Sequence, residues 1–332
     1  MSKEIKGKVA REYRKKYPDA KQYALAKIMC MEMPHIFKSR ESARDVLRYI
    51  EGNKGIQDRK KVIDKSAFKE LIHDTSNGLK IVSKAPKLKT FTLPTSIKEV
   101  LFLSDIHIPY QDDLALNLAI KYGVDNKVDC IWLNGDIMDM YQASDHEKLP
   151  SHAELKEEIE MTREFLANLR AIFPKATIYY KEGNHERRWL RMLMKKAPEL
   201  IGCEEFELPV ILKFAEHKII WIENETLTKF GKLNVLHGNE FKGSGGVNPA
   251  RALYMRAKSN AIAGDKHKTG ENTEGSLDGK IVTTWAVGCL CDLNPKYMPF
   301  AHASWNLGFA HIKMNGKEFH VDNKRIYNGR IL

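Results

Sequence analysis

The sequence predicts an α/β fold preceded by a small all-α region, and three observations carry the prediction. Beyond residue 97, apolar strand-like runs alternate with helical stretches in a β-α-β-α-β order, which implies parallel strands with helices outside them. Before residue 90 no strand-like run occurs. The excess positive charge is confined to that same part. Residues 1–90 hold 23 Lys and Arg against 11 Asp and Glu, a net of +12, and the remaining 31 basic and 32 acidic side chains give −1. A length of 332 residues suits one large domain with an appendage. An apolar content of 43% can bury a core, and no apolar run approaches the roughly 20 residues that cross a bilayer.

Residues 1–80 read as a basic helical module. Tyr23, Ala24, Ala26, Lys27 and Met31 fall at helical spacing within 20–33, and Pro34 ends that helix. After a short turn, Ser39 or Ser42 can cap a second helix, with Val46, Leu47 and Ile50 on its buried face and Gly52 as its stop. Two helices joined this way resemble a helix-turn-helix. Arg40, Arg44 and Arg48 share one face of the second helix, where they could follow phosphates. So basic a segment is expected to meet a polyanion, with nucleic acid as the partner and DNA ahead of RNA. Lys80 to Pro94 holds four lysines and two prolines, and residues 81–95 are read as a linker to a main domain at 96–332.

In the main domain, 100–103 is a buried strand, 112–122 a helix and 130–133 a second strand. A long helix over 152–172 and a third strand at 177–180 continue the alternation. Further strand-like runs at 218–222, 233–236, 261–263 and 281–287 promise a second, mixed sheet. Asn315-Gly316 marks a closing hairpin. The N-terminus is charged and lacks the apolar core of a signal peptide. The five cysteines are scattered, only Cys289 and Cys291 being close, and read as reduced, mostly buried thiols of a cytoplasmic protein.

Each of the first three strands runs straight into a polar cluster, where reactive groups gather in parallel-sheet folds. The candidate metal donors are Asp105, His107, Asp136, Asn184, His237, Asp265 and His267. Carboxylates, imidazoles and one amide oxygen, with no thiolate, suit manganese, iron or zinc. Asp105 and His107, one residue apart past a strand, can aim into a common hollow, and Asp136 on the next strand can bridge two cations.

In order and spacing this set resembles the calcineurin-like metallophosphoesterases, whose pattern is D-x-H, G-D-x-x-D, G-N-H-E/D, H-G and G-H-x-H. Here the blocks are Asp105-Ile-His107, Gly135-Asp136-Ile-Met-Asp139, Gly183-Asn184-His185-Glu186, His237-Gly238 and Gly264-Asp265-Lys266-His267. The resemblance covers about 97–320 and implies a four-layer α/β/β/α sandwich. It implies two divalent cations: Asp105, His107 and His267 would hold the first, Asn184 and His237 the second, and Asp136 would bridge. His185 would face the scissile phosphate, and Asp139 would orient a ligand or His185. Arg187 and Arg188 could add charge beside the phosphate, unless local carboxylates take them. Asp265 departs from the family, which has histidine there. A carboxylate remains a ligand and favours manganese or magnesium, with iron and zinc as alternatives.

The expected activity is phosphodiester hydrolysis of nucleic acid by a metal-activated hydroxide. One alternative is a phosphatase or nucleotide phosphodiesterase acting on a small or protein substrate. The other is a non-catalytic nucleic-acid-binding protein with a weakened second metal site. Since many relatives dimerise, the resemblance also leaves room for a homodimer.

Overall fold

The structure, a computed structural model, describes residues 3–52, 84–145, 147–148, 153–241, 246–295, 298 and 300–332. It divides into two compact units, Met1–Ala85 and Pro86–Leu332. Residues 53–83, which hold the rest of the predicted module and the start of the predicted linker, lie outside the described residues.

The described part of the first unit is three helices, α1 (Lys3–Lys16), α2 (Gln22–Glu32) and α3 (Arg40–Ile50). Ser39 caps α3, its side chain accepting from the Ser42 amide at 3.2 Å, which satisfies one of the four amide donors a helix start leaves unpaired. The core gathers Ala10 and Tyr13 of α1, Leu25, Ala26 and Met29 of α2, Ile36 and Phe37 of the turn, and Ala43 and Leu47 of α3. Tyr23 and Met31, which set the predicted spacing of α2, stand in solvent instead, at 56% and 71% exposure. Their neighbours Leu25, Ala26 and Met29 make the buried face. Glu51 ties the bundle together, taking the Arg14 guanidinium of α1 and the Gln22 amide of α2.

The second unit opens with β1 (Thr90–Thr92), a strand inside the stretch read as a linker. It continues with β2 (Glu99–Leu103), α4 (Asp113–Asp125), β3 (Cys130–Leu133), α5 (Leu155–Ile172), β4 (Thr177–Lys181) and α6 (Arg187–Lys196). Then come β5 (Ile219–Ile222), β6 (Leu227–Phe230), β7 (Leu233–Leu236), α7 (Pro249–Ala257), β8 (Ala261–Ala263), β9 (Gly270–Gly275) and β10 (Ile281–Ala286). The hairpin β11 (Leu307–Asn315) and β12 (Glu318–Tyr327), with β13 (Arg330–Ile331), closes the chain. One sheet has the order β13-β12-β11-β2-β3-β4-β5, the other β1-β6-β7-β8-β10-β9.

Side-chain alternation along the central strands explains the layering. Leu101 and Leu103 of β2, Ile131 and Leu133 of β3, and Ile178 and Tyr180 of β4 pack against Ala115 and Ala119 of α4 and Leu166 and Leu169 of α5. The alternate residues Val100, Phe102, Cys130, Trp132 and Tyr179 meet Phe230, Leu233, Val235, Ile262 and Trp285 of the other sheet. Leu253 of α7 covers the outer face of that sheet at Ala261 and Ala263. The unit is therefore α/β/β/α, as expected. In the first sheet β2 to β5 are mutually parallel, and β7, β8 and β10 are parallel in the second, so both sheets bring several carboxyl ends together.

Candidate metal centre

Every candidate donor lies just past a strand: Asp105 and His107 after β2, Asp136 after β3, Asn184 after β4, His237 after β7, and Asp265 and His267 after β8. Five of these seven, Asp105, His107, Asp136, Asp265 and His267, have φ between 51° and 62°. Side-chain-bearing residues seldom adopt this left-handed conformation, and each such residue costs about 1–3 kcal/mol. The loops interlock to hold it: the Asp105 amide donates to the Gly135 carbonyl and the His107 amide to that of Asp136, at 3.2 and 3.0 Å. Gly135, at φ 87°, allows a close approach, for a Cβ there would stand 2.7 Å from both the Gly183 Cα and the His237 Nδ1.

In the first half of the centre, His107 Nδ1 lies 3.1 Å from the Asp139 carboxylate and Nε2 lies 3.2 Å from His267 Nε2. Donation from Nδ1 to Asp139 leaves the His107 Nε2 lone pair turned inward, as a ligand requires. Burial, with His185 adding to it, pushes the His107 pKa down, so the ring is held neutral. Asp105 receives the Asp265 amide on both oxygens, at 3.1 and 3.0 Å, and its Oδ1 is 3.4 Å from His267 Nε2. The second nitrogen of His267 faces the Cys291 sulfur at 3.8 Å.

In the second half, His237 Nδ1 donates to the Asn134 carbonyl at 2.7 Å, which turns the Nε2 lone pair toward Asp136 Oδ2 at 3.2 Å. That Nε2 and the Asn184 Oδ1 are fully buried without a hydrogen-bond partner. Two orphaned acceptors around a buried carboxylate, Asp136, fit a cation between them and fit little else. Asp136, His237 and Asp265 bring ligand atoms within 4.8 Å of one another, as do Asp105, His107 and Asp136. Burial alone would raise the Asp136 pKa, but His185 and His237 hold it well below the usual carboxylate range. Burial alone would lower that of His237, and Asp136 raises it well above the ordinary imidazole value, so without a cation Nε2 holds a proton against Asp136, and a bound cation would displace that proton and take the lone pair. The hollow thus concentrates negative charge that a cation would neutralise. Asp265 Oδ1 is 4.0 Å from His237 Nε2, while its Oδ2 pairs with Lys266 at 2.6 Å.

His185 directs Nδ1 to the Asp139 carbonyl at 2.6 Å, and its Nε2, 3.7 Å from Asp136 Oδ2, lies 2.9 Å from the Arg188 guanidinium. Arg188 also donates to the Asp139 carbonyl at 2.7 Å. Arg187 turns away to Glu225 at 3.0 Å. Arg40, Arg44 and Arg48 belong to the first unit, where α2 and α3 supply their partners. Arg44 and Arg48 pair with Glu41, Arg48 also with Asp45, and Arg40 donates to the Tyr23 hydroxyl.

Four residues given no role from the sequence, Glu186 of the Gly183–Glu186 block among them, are built into the centre. Glu186, 1% exposed, accepts from the amides of Asp136, Ile137, Met138 and Gly183 and from the Tyr180 hydroxyl, at 2.8–3.2 Å. Asn134 joins the sheets, accepting from Trp132 and donating to the Leu236 carbonyl, each at 2.9 Å. Lys181 is fully buried, and Glu240 accepts the amides of His237 and Gly238 at 3.0 and 2.7 Å. A lysine ending a strand and a glutamate in a turn look solvated in sequence, and only the second sheet reveals otherwise.

No family model matches the chain. The gene 54 protein of Mycobacterium phage L5 is 27% identical over 254 residues, spanning 70% of this chain and 95% of the phage protein. Among solved structures, vacuolar protein sorting 29 of Cryptosporidium parvum matches 71% of this chain and 95% of its own, at 14% identity and a TM-score of 0.37. A predicted phosphoesterase of Streptococcus pneumoniae TIGR4 matches the same shares, at 13% identity and a TM-score of 0.31. No helix among the described residues is long and apolar enough to cross a membrane.

Proposed function

We propose that this chain, which has the motif blocks, layered fold and assembled site of a calcineurin-like metallophosphoesterase, is a metal-dependent phosphodiesterase that hydrolyses nucleic acid. The observation that carries the hydrolase reading is the inward turn of orphaned acceptors, Asn184 Oδ1 and His237 Nε2, onto buried Asp136. Asp105, His107 and His267 would hold one divalent cation and Asn184, His237 and Asp265 a second, with Asp136 between them. Manganese suits this carboxylate-rich set best. When bound, the cations supply charge neutralisation at the phosphoryl oxygens and a water of lowered pKa.

The chain's own groups do the rest. Asp139 fixes the His107 ring through Nδ1. His185 keeps its Nδ1 proton on the Asp139 carbonyl and presents Nε2 to the hollow, where a proton can be taken up and handed to the leaving oxygen. Burial would lower its pKa, but Asp136 and Asp139 outweigh burial and hold it above the ordinary imidazole value, which suits a proton donor at neutral pH. Arg188 adds positive charge beside that nitrogen.

Support for a polyanionic substrate comes from the charge division, +12 in residues 1–90 against −1 in the rest. Within α3, Arg44 and Arg48 are taken by local carboxylates. The basic surface is better carried by α1, whose sequence holds seven Lys and Arg against two Glu. Replacing its exposed Lys8, Arg11, Lys15 and Lys16 with alanine should weaken duplex binding and flatten its salt dependence by a slope of up to about 4. The activity test is a panel of divalent cations against plasmid, oligonucleotides, bis-para-nitrophenyl phosphate and phosphomonoesters. Cleavage of nucleic acid with manganese, lost in Asp136→Asn, is expected. Turnover of phosphomonoesters alone, with DNA and RNA intact under every cation, would overturn the substrate assignment.

A further inference from the structure

Lys181 is the most unusual residue behind the centre. It ends β4, three residues before Asn184, and its side chain is wholly buried, a placement lysine almost never takes without a partner. Its Nζ donates to the Asn224 carbonyl at 3.1 Å and lies 3.5 Å from Glu240 Oε1. Glu240 belongs to the other sheet's loop. Its two oxygens accept the amides of His237 at 3.0 Å and of Gly238 at 2.7 Å, so it clamps the turn that presents His237. Asn224 completes the link. Its amide donates to the Glu182 carboxylate at 3.0 Å, and its side chain donates to the Glu182 carbonyl at 3.0 Å and to Asn239 Oδ1 at 3.2 Å.

From this geometry we infer that the Lys181–Glu240 ion pair is a positioning strap for the second metal half-site, fixing the Asn184 loop of one sheet against the His237 turn of the other. The inference rests on the two-cation reading above and concerns only how one cation is held. Asn184 and His237 come from different sheets, and neither has the left-handed backbone that fixes the other five donors. Their spacing must therefore be set by something outside their own loops, and the strap joins the ends of both. Isolated, a buried ammonium would cost several kcal/mol, so its retention in place of an apolar residue calls for a task beyond packing. The first half-site has no contact with the strap among the described bonds. Its residues lean on Asp139, on one another, on the Asp265 amide and on the Cys291 sulfur.

The test is manganese binding by the full-length apoprotein, followed by calorimetry and by the electron paramagnetic resonance spectrum at two equivalents. The wild type is expected to bind two ions and give an exchange-coupled spectrum. Lys181→Met should keep the first ion and lose affinity for the second by roughly 10- to 100-fold, the usual penalty for removing a residue that orients a ligand. Its spectrum should then show the six lines of uncoupled manganese. Glu240→Gln, which keeps one acceptor for the turn, should do the same to a smaller extent and stands in if Lys181→Met does not fold. Folded variants that bind both ions with wild-type affinity overturn the strap while leaving the two-cation reading intact. Equal weakening of both sites also overturns it, since the strap serves one half. A wild type that binds fewer than two ions overturns the two-cation reading itself, and the strap with it.

Discussion

The two halves of the metal centre are held by different means. In the first half Asp105, His107 and His267 all stand on left-handed backbone. In the second, Asn184 and His237 do not, and only Asp265 does. A strained loop residue is held because every neighbouring loop bond agrees on it, so its side chain has little freedom left. An unstrained donor on one sheet facing another on a second sheet has no such constraint. It is aimed by buried polar contacts instead, here the Asn134 backbone carbonyl for His237 and the Glu240–Lys181 pair for the turn. The contrast teaches that one site can be rigid by backbone on one side and by buried polar contacts on the other. The second kind is the easier to alter by substitution.

Asp136 belongs to both halves, so its loss is the largest effect expected. Asp136→Asn keeps an oxygen for the His185 amide, now received by Oδ1 at 2.9 Å, and so should fold. Phosphoesterase activity should fall about a thousandfold or more, and binding of both cations should weaken together. Titration of the variant with manganese checks this. Loss of one ion with the other unaffected would mean that the halves are independent and that Asp136 does not bridge.

Next in size is Glu186, which staples the Asp136 loop to the Gly183 loop through four amides and a hydroxyl. Glu186→Gln turns one acceptor into a donor facing donors. Leaving buried amides unpaired at about 1–3 kcal/mol each should lower apoprotein stability by about 2–4 kcal/mol in urea denaturation. A loss below about 0.5 kcal/mol would show that backbone strain alone keeps these loops in place.

A smaller change should follow from Asp265→His, which puts the imidazole of the resembled G-H-x-H pattern into the second half. The softer, neutral ligand should shift the second site from manganese toward zinc by about tenfold in competition binding, with the first site unmoved. An unchanged preference would mean that Asp265, already paired with Lys266, is no ligand.

What was legible in the sequence divides along the same line. The donors could be read because each follows an apolar run directly, and a parallel sheet gathers its carboxyl ends by topology. Cys130–Leu133 and Leu233–Leu236 could be placed to the residue for the same reason. Burial imposed by the other sheet could not be read. Lys181 looks like a solvated strand end, Glu240 like a turn glutamate and Cys291 like an inert thiol until β7, β8 and β10 are laid over β4. Thr90–Thr92 was hidden in lysines and prolines because its pairing with β6 is 137 residues away in register, Thr90 to Leu227. Gly270–Gly275, polar throughout, is a strand only because β10 supplies its partner. The arginines of α3 show the opposite case. Their shared face follows from the spacing, but so do Glu41 and Asp45 within a turn of Arg44 and Arg48, and the structure pairs them with those two arginines.

The smallest expected effect lies behind the first half and tests whether its rigidity has a cost in pH tolerance. Glu158 of α5 is 2% exposed and accepts the Met140 amide, one residue past Asp139. Burial pushes its pKa up to about 8, with Asp139 and Glu186 adding to the effect. The folded chain therefore keeps a proton that the unfolded chain releases above its ordinary value of 4.5. Stability from this group is fully present below that value and is lost as pH rises through about 8. Glu158→Gln retains an acceptor for Met140 and cannot ionise. The variant and wild type should differ least near pH 4.5, and the variant should gain on the order of 1 kcal/mol or more by pH 9, where the wild-type carboxylate is charged and buried. Urea denaturation of the apoproteins at the two pH values measures the difference. A constant offset between them would mean that solvent reaches Glu158 and that the first half is less tightly closed than its backbone suggests.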